Sequence, residues 1–159
     1  MDDLRVGTAF DAHRLVPGRP LVLGGVVLES ELGLEGHSDA DIVCHALIDA
    51  LLGAAGLDDI GTHFPPADPR WKDASSLDLL RRAWGLVADE GWTLSNCDAF
   101  VVLQEPRLAP HRAQMRANVA GALACPVDRV SIRATTTDGL GFVGRREGAS
   151  CQAVALLRR

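Results

Sequence analysis

The sequence contains no tyrosine, and aromatic residues make up only 4% of its 159 residues. Its core must therefore be built mainly from aliphatic and alanine side chains. It also lacks any apolar run near the roughly 18 residues that a membrane-spanning helix needs, so we expect no membrane partner. Residues 1–10 show no basic segment followed by an apolar one, so we expect no signal peptide and a cytoplasmic location.

An excess of positive charge is also missing, since the net charge is −5. Nucleic-acid backbones and anionic membrane surfaces attract basic proteins, so neither is expected as a partner. An anionic small molecule stays compatible with this charge, because a metal ion and a few arginines can hold it locally. No C-x-x-C pair occurs, which favours reduced thiols over the alternative of two disulfides. The cysteines are Cys44, Cys97, Cys125 and Cys151.

Hydrophobic patterning predicts a single domain over residues 1–159. Strands are predicted at 4–13, 97–104, 130–135 and 149–157, with a hairpin at 21–28, and helices at 41–55, 75–90 and 110–124. Ser38 is the predicted N-cap of the first helix. The mixed order of elements predicts an α+β fold, a two-layer sandwich of a mixed sheet with helices on one face.

A D-x-H pattern ends the first predicted strand, at Asp11 and His13. Two residues apart on a strand, both side chains point to one face, about 6–7 Å apart at the backbone. Carboxylate and imidazole ligands suit Zn²⁺, Mn²⁺ or Co²⁺ better than Ca²⁺. Taken alone, the pattern is more typical of a polar strand end with a hydrogen-bonded histidine.

His45 strengthens the metal interpretation, because it lies in a predicted helix whose other residues are almost all apolar. A buried polar group without a partner costs about 1–3 kcal/mol, so this histidine needs one. Asp41 and Asp49 each lie one turn away, and one or the other is predicted to orient the ring. Asp11, His13 and His45 then form a three-ligand site with an open position, the arrangement of catalytic zinc.

His37, Ser38 and Asp39 precede the same helix. Helix N-termini bind anions, so His37 could contact a phosphate or support a transition state. Simple capping by Ser38 and Asp39 explains the segment equally well.

The run Ala134–Asp138 places three threonines and a carboxylate at a predicted strand end. β-branched residues are common in strands, so the threonines alone indicate little. The glycine-rich segment that follows, with Arg145 and Arg146, favours phosphate binding by backbone N–H groups and guanidinium groups. Asp138 is then a candidate ligand for a second cation. The G-x-x-x-x-G-K-[ST] loop is absent.

Together these residues resemble the 2-C-methyl-D-erythritol 2,4-cyclodiphosphate synthase family of the non-mevalonate isoprenoid pathway. The resemblance rests on an ordered set of motifs between residues 6 and 157. They are Phe10–His13, Gly36–Asp41, His45–Leu47, Asp58–Gly61, Phe64–Pro65, Ala134–Thr137 and Leu140–Phe142.

The resemblance implies a phosphorus–oxygen lyase that converts 4-diphosphocytidyl-2-C-methyl-D-erythritol 2-phosphate into the cyclic diphosphate and CMP. It also implies a homotrimer with active sites between subunits. The family binds zinc, and a second cation, Mg²⁺ or Mn²⁺, that bridges the diphosphate. A cavity on the trimer axis is linked to isoprenoid diphosphates.

Residue by residue, the resemblance assigns the zinc ligands to Asp11, His13 and His45, the second-cation ligand to Asp138, and the transition-state residues to His37 and Thr136. These residues also contact the substrate. The resemblance assigns further substrate contacts to Ser38, Asp59, Ile60, Gly61, Phe64 and Asp68. It assigns the cytidine pocket to Leu103, Gln104, Pro106, Arg107, Leu108, Ala109, Thr135 and Thr137. It assigns the axial cavity to Phe142, Arg145 and Glu147.

Five positions depart from the common family pattern. Asp138 stands where glutamate is frequent, so its reach is one methylene shorter. Pro66–Ala67 replaces Asp-Thr, Ala40 replaces a frequent glycine, and Glu105 replaces a small or basic residue. None of them is a proposed zinc ligand.

Two other functions fit the same residues. A zinc-dependent hydrolase would use the open metal position to activate water and would release inorganic phosphate or a simple monoester. A nucleotide or isoprenoid-diphosphate binding module would use the metal structurally. Structural zinc usually has four protein ligands, often cysteine, and no cysteine lies at ligand spacing here.

Overall fold

The protein is described from a computed structural model, in which residues 3–159 are described. Residues 1 and 2 of the predicted domain lie outside this range. The strands are β1 (Leu4–Pro17), β2 (Leu21–Leu23), β3 (Val26–Leu28), β4 (Leu32–Leu34), β5 (Thr93–Val102), β6 (Val130–Thr135) and β7 (Gly148–Arg158). The helices are α1 (Ile42–Ala55), α2 (Ile60–His63), α3 (Ser76–Asp89), α4 (Arg112–Ala122) and α5 (Gly141–Gly144). Short 3-10 turns cover Pro69–Trp71, Ala109–His111 and Val127–Arg129.

Five strands form one mixed sheet in the order β4-β1-β7-β5-β6. Neighbours are antiparallel except for β5 and β6, which run parallel. The longest ladder joins β1 to β7, from the pair Leu4 and Arg158 to the pair Arg14 and Gly148. The hairpin β2-β3 forms a separate two-stranded ribbon.

Helix α1 lies against β1 and β7 and is buried on nearly every side. Its apolar residues match this position, because a helix that is hydrophobic all round belongs in a core. Gly7 of β1 permits the close approach, since a Cβ there would lie 1.9 Å from the Ala50 carbonyl oxygen. Helix α3 packs on α1, and α4 packs on β6 and α3.

The opposite face of the sheet carries exposed apolar side chains along β1 and β7. Alternate side chains of β1 point to this face, and Val6 and Phe10 are 68% and 66% exposed. Val154 of β7, which pairs beside them, is also exposed. A soluble monomer rarely leaves large contiguous apolar surfaces in water, so this face is suited to burial against another surface.

The α+β fold, the Leu21–Leu28 hairpin and the three longer helices are confirmed. Strand β4 was missed, because residues 32–34 were not predicted as a strand and pair with the end of β1. The predicted N-cap was wrong: α1 begins after Asp41, not after Ser38. All four cysteines are free, and their reduced state stays a prediction. Within residues 3–159, no helix is both long and apolar enough to cross a membrane.

Candidate metal centre and active site

Asp11, His13 and His45 converge on one point, with one ligand atom from each lying within 4.8 Å of the other two. Asp11 Oδ2 lies 3.2 Å from His13 Nε2 and 3.1 Å from His45 Nδ1. We call these three residues the metal cluster. Strand β1 supplies two of them from one face through its two-residue period, and α1 supplies the third from above.

A carbonyl group fixes the ring of His13. Its Nδ1–H donates to the backbone oxygen of Glu35, which can only accept a hydrogen bond. When the ring is neutral, the other nitrogen, Nε2, carries no proton, and this nitrogen faces Asp11 at 3.2 Å. Gly36 leaves room for this ring, since a Cβ at position 36 would lie 3.1 Å from His13 Cε1.

Two serine hydroxyls hold the ring of His45. Its Nε2 lies 2.9 Å from Ser76 Oγ and 3.1 Å from Ser38 Oγ, while Nδ1 faces Asp11. The prediction that Asp41 or Asp49 orients this ring was wrong, because neither carboxylate hydrogen-bonds to it. Asp49 instead accepts the Ile60 amide at 2.7 Å and anchors the start of α2.

Asp41 acts mainly in backbone capping, and it also accepts from Cys44 Sγ at 3.3 Å. Its buried carboxylate accepts from the amides of Gly24 and Gly25 in the β2-β3 turn, and of Val43 and Cys44 in α1. A spacing of one helical turn brings the Asp41 carboxylate near His45, but it does not determine whether the carboxylate hydrogen-bonds to that ring or to free backbone amides. At this position the unpaired N–H groups of the helix end and of the turn are the partners.

The metal cluster is electrostatically arranged for a cation. Burial raises the pKa of Asp11, but hydrogen bonds from the His13 and His45 rings outweigh it and hold that pKa well below the usual range. The hydrogen bond to Asp11 raises the pKa of His13 against the opposing effect of burial. An ionised carboxylate between two imidazoles binds either protons or a metal, which displaces them.

The donor set fits zinc on chemical grounds. One carboxylate and two imidazole nitrogens are three ligands of the types that Zn²⁺ takes at catalytic sites, with one position left for substrate or water. Each histidine has its second nitrogen held by a polar partner, as metal-bound histidines almost always do. Mn²⁺ and Co²⁺ accept the same donors.

The metal cluster opens into a cleft, here called the first cleft. Eight predicted substrate-binding residues line it, namely Asp11, His13, His37, Ser38, His45, Ile60, Gly61 and Phe64, together with Asp49, Pro66, Trp71 and Leu79. The segment that carries His37 is clamped by Arg19, which donates to the carbonyl oxygens of Gly36 at 2.9 Å and of Ser38 at 2.7 Å. The His37 side chain is therefore presented from a fixed backbone.

A second cleft collects most of the residues predicted for the cytidine pocket. It is lined by Leu103, Gln104, Pro106, Arg107, Leu108, Ala109, Arg112, Ala134, Thr135 and Thr136. The parallel pairing of β5 and β6 explains this, because it brings the ends of both strands to one edge of the sheet. The first and second clefts share no lining residue within residues 3–159.

A model of the YgbB family matches residues 4–158. The chain belongs to this family. Similar proteins are named 2-C-methyl-D-erythritol 2,4-cyclodiphosphate synthase, among them one from Symbiobacterium thermophilum that is 59% identical over 152 residues, 96% of this chain and 97% of that protein. The family assignment made from the sequence motifs is thus confirmed.

Solved structures of synthases of this kind have the same fold. The CDP-bound form of a 2-C-methyl-D-erythritol 2,4-cyclodiphosphate synthase superposes with a TM-score of 0.88 at 40% identity, covering 96% of this chain and 99% of that one. The bifunctional IspDF protein of Campylobacter jejuni gives a TM-score of 0.95 at 40% identity. The match covers 99% of this chain but only 43% of that longer protein.

Some residues that the synthase resemblance assigned to substrate lie outside both clefts. Asp59 caps α2 through the Thr62 amide, and Asp68 pairs with Arg70. Asp138 follows the second cleft, with its Oδ1 accepting from Thr136 Oγ1 at 3.3 Å. It offers a single carboxylate, so further ligands for a second cation would have to come from substrate phosphates. Thr137 Oγ1 donates to the Leu140 carbonyl oxygen.

The residues assigned to the axial cavity of the synthases form a third group. Phe142 and Glu147 line a cleft with Arg14 at the end of the β1-β7 ladder. Arg145 pairs with Glu147 at 2.9 Å and does not line that cleft. The isoprenoid-diphosphate ligand stays a prediction.

Three residues of this synthase site were missed from the sequence. Trp71 and Leu79 form part of the apolar wall of the first cleft, and Ser76 contacts His45. They come from the Pro69–Trp71 turn and from α3, more than 25 residues beyond His45 along the chain. The only available signal was the length of the irregular 58–73 segment, since long loops in compact domains are often functional.

Proposed function

We propose that the protein acts as a 2-C-methyl-D-erythritol 2,4-cyclodiphosphate synthase, a phosphorus–oxygen lyase of the non-mevalonate pathway. Its substrate is 4-diphosphocytidyl-2-C-methyl-D-erythritol 2-phosphate, and its products are the cyclic diphosphate and CMP. The observation that carries the proposal is the metal cluster opening into the first cleft, in a chain of the synthase family.

The reaction joins two ends of one molecule. An oxygen of the 2-phosphate attacks the β-phosphorus of the diphosphate, and the bond from that phosphorus to the oxygen retained by CMP breaks. The attacking oxygen is already anionic, so no strong general base is required. Catalysis then depends on positioning and on stabilising negative charge in the transition state.

Side chains of the first cleft supply the positioning. Ser38 and the Ile60–Gly61 backbone lie where they can hold the methylerythritol phosphate end. His37, on the backbone clamped by Arg19, can hydrogen-bond to a phosphoryl oxygen as charge develops on it. Phe64 and Trp71 meet edge to face and exclude water from one wall.

Asp11, His13 and His45 would hold the zinc ion, or Mn²⁺ or Co²⁺ in its place. When bound, the ion acts as a Lewis acid that polarises and orients a phosphate oxygen. Asp138 is the residue of this chain that would reach a second cation, Mg²⁺ or Mn²⁺. Thr136 and Asp138 lie side by side, so the hydroxyl can contact the phosphoryl group being transferred.

The second cleft is the proposed cytidine site. It contains backbone groups of the Leu103–Ala109 segment and the hydroxyls of Thr135 and Thr136. A related synthase of the same fold was solved in a form with bound CDP, which supports a cytidine nucleotide as the ligand.

A homotrimer completes the proposed site. Within one chain the first and second clefts have no lining residue in common, so in the proposed trimer a second copy brings its second cleft to the first copy's metal cluster. The exposed apolar face of β1 and β7, with Val6, Phe10 and Val154, is the surface suited to burial between copies.

The test is to identify the product. The purified protein, supplied with zinc, magnesium and substrate, is expected to give the cyclic diphosphate and CMP, observed by phosphorus NMR. Release of inorganic phosphate or a monoester would instead indicate the hydrolase. No turnover under these conditions would indicate the binding module.

A His45→Ala variant connects the site to this reaction. It removes one of three ligands, so we expect zinc content and cyclisation to be lost together. Metal content is measured by atomic emission and turnover by phosphorus NMR. His111→Ala, a histidine outside the metal cluster, is the control for metal content. Full metal content and full turnover in His45→Ala would contradict the proposal.

A further inference from the structure

Ser76 is fully buried, although it is a small polar residue at the start of a helix. It is the first residue of α3, and its hydroxyl reaches Nε2 of His45 at 2.9 Å. It is not a metal ligand, and it lies 31 residues beyond that histidine in the chain. A hydroxyl buried against a metal-ligating ring either only fills space or orients the ring. Its hydrogen bonds show which of these two roles it has.

The proton of the Ser76 hydroxyl is committed to Asp39. Ser76 Oγ donates to Asp39 Oδ1, and the Ser76 amide donates to Asp39 Oδ2 at 3.0 Å. The Asp41 amide adds a third donor, to Asp39 Oδ1. A carboxylate with three donors around it is an acceptor only, so the hydroxyl hydrogen points at Asp39 and the serine lone pairs point away from it.

The lone pairs of Ser76 therefore face His45, and they need a donor there. Nε2 must carry the proton for this contact to be a hydrogen bond, and a neutral imidazole protonated on Nε2 has a bare Nδ1. Nδ1 is the atom that faces Asp11 in the metal cluster. The hydrogen bonds from His45 to Ser76 and from Ser76 to Asp39 thus leave Nδ1 of His45 without a proton, which is the state in which it can bind a metal.

Ser38 does not fix the ring in the same way. Its Oγ lies 3.1 Å from His45 Nε2 and accepts from the Ala40 amide, but its own hydrogen is not tied to a carboxylate. It can donate to Ser76 Oγ at 3.3 Å or rotate toward the ring. A hydroxyl that can donate or accept is compatible with both neutral forms of the imidazole.

We propose that Ser76, held by Asp39, is a positioning residue that keeps His45 protonated on Nε2 and thereby strengthens divalent-cation binding at the metal cluster. The inference rests on the proposed metal site. In metal sites generally, the residues that hold the second nitrogen of a histidine ligand contribute about 10–100-fold in metal affinity.

The test compares two neighbouring serines. Ser76→Ala removes the acceptor, whereas Ser75→Ala changes an exposed N-cap residue whose side chain makes no capping hydrogen bond. Zinc affinity is measured by competition with a chromogenic chelator. We expect Ser76→Ala to bind zinc about 10–100-fold more weakly than wild type, and Ser75→Ala to bind it within about twofold of wild type.

A second measurement needs no variant. In the zinc-loaded wild-type protein, long-range nitrogen–proton NMR should show His45 protonated on Nε2, with that proton protected from exchange. Zinc on Nε2 with the proton on Nδ1 would overturn the inference whether or not Ser76→Ala folds. Ser76→Cys, of similar size but a weak acceptor, should also lose zinc affinity.

The outcomes separate the two proposals. If wild-type protein fails to bind zinc at Asp11, His13 and His45, the proposed metal site fails. If wild type binds zinc and folded Ser76→Ala binds it equally well, only the role of Ser76 is wrong. Far-ultraviolet circular dichroism of the metal-free proteins establishes folding in each case.

Discussion

The metal cluster and the second cleft differ in how much of their geometry one chain fixes. The metal-cluster side chains are partly buried, and each ring has its second nitrogen held by a neighbouring group. The second cleft is an open surface at the ends of β5 and β6, and its threonines 135 and 136 are exposed. The metal cluster is preorganised within one chain, whereas the geometry of the second cleft depends on what covers it.

This difference matches the ligands that we propose for the two regions. A metal ion requires ligand atoms at fixed distances, which a packed strand and helix can supply without help. A nucleotide offers a large, flat surface and can be enclosed by two subunits. We therefore expect substitutions in the metal cluster to alter metal binding within one chain. Substitutions in the second cleft should alter how the substrate is positioned.

The largest expected effect is from removing the metal. Chelation of zinc should abolish turnover, while CMP should still bind the second cleft, because the two clefts share no lining residue. Calorimetric titration of CMP against the chelated and the reloaded protein measures this. Loss of CMP binding on chelation would show that the two regions are not independent.

Thr136→Val is expected to have the next largest effect. It removes a hydroxyl beside Asp138, and the loss of one transition-state hydrogen-bond donor costs about 10²–10³-fold in kcat. Zinc content should not change. Thr93→Val, at the far end of β5, controls for loss of a threonine hydroxyl. A fall in zinc content in Thr136→Val would contradict the separation of the two regions.

The smallest expected effect is on the packing beneath the metal cluster. Gly7→Ala should destabilise the protein by about 1–3 kcal/mol, because its Cβ would overlap the Ala50 carbonyl oxygen of α1. Zinc affinity should also fall, since α1 carries His45. Gly53→Ala, on α1 with nothing near its Cβ, should instead stabilise by about 0.5–1 kcal/mol.

Urea unfolding at one fixed protein concentration measures both glycine variants. Equal stability of Gly7→Ala and wild type would mean that β1 and α1 can move apart without lowering the free energy of unfolding. A loss of zinc affinity in Gly53→Ala would mean that α1 places His45 less rigidly than the structure indicates.

Short-range signals were sufficient for most of the secondary structure and for the ligands of the metal cluster. Asp11 and His13 were predictable because a strand places residues two apart on one face. His45 was predictable because an imidazole is out of place in an apolar helix. The strand β4 was missed because a three-residue strand has no period of its own and exists only through pairing with β1.

The partners of His45 show where sequence reasoning reaches its limit. Asp41 and Asp49 were predicted from helical spacing, but backbone amides of other segments compete for their carboxylates. The actual partners of the His45 Nε2 atom are Ser38 and Ser76, and Ser76 is brought in by the packing of α3 on α1. Nothing in the local pattern around Ser76 distinguishes it from Ser75.

The sequence by itself determined the family, the α+β class and the three candidate metal ligands, because motifs, periodicity and misplaced polar residues are properties of short segments. Only the tertiary structure decided which nitrogen of each histidine faces the metal cluster, and that the first and second clefts have no lining residue in common within residues 3–159. Both depend on hydrogen bonds and packing between segments that are distant in the chain, and such partners are chosen by competition in three dimensions.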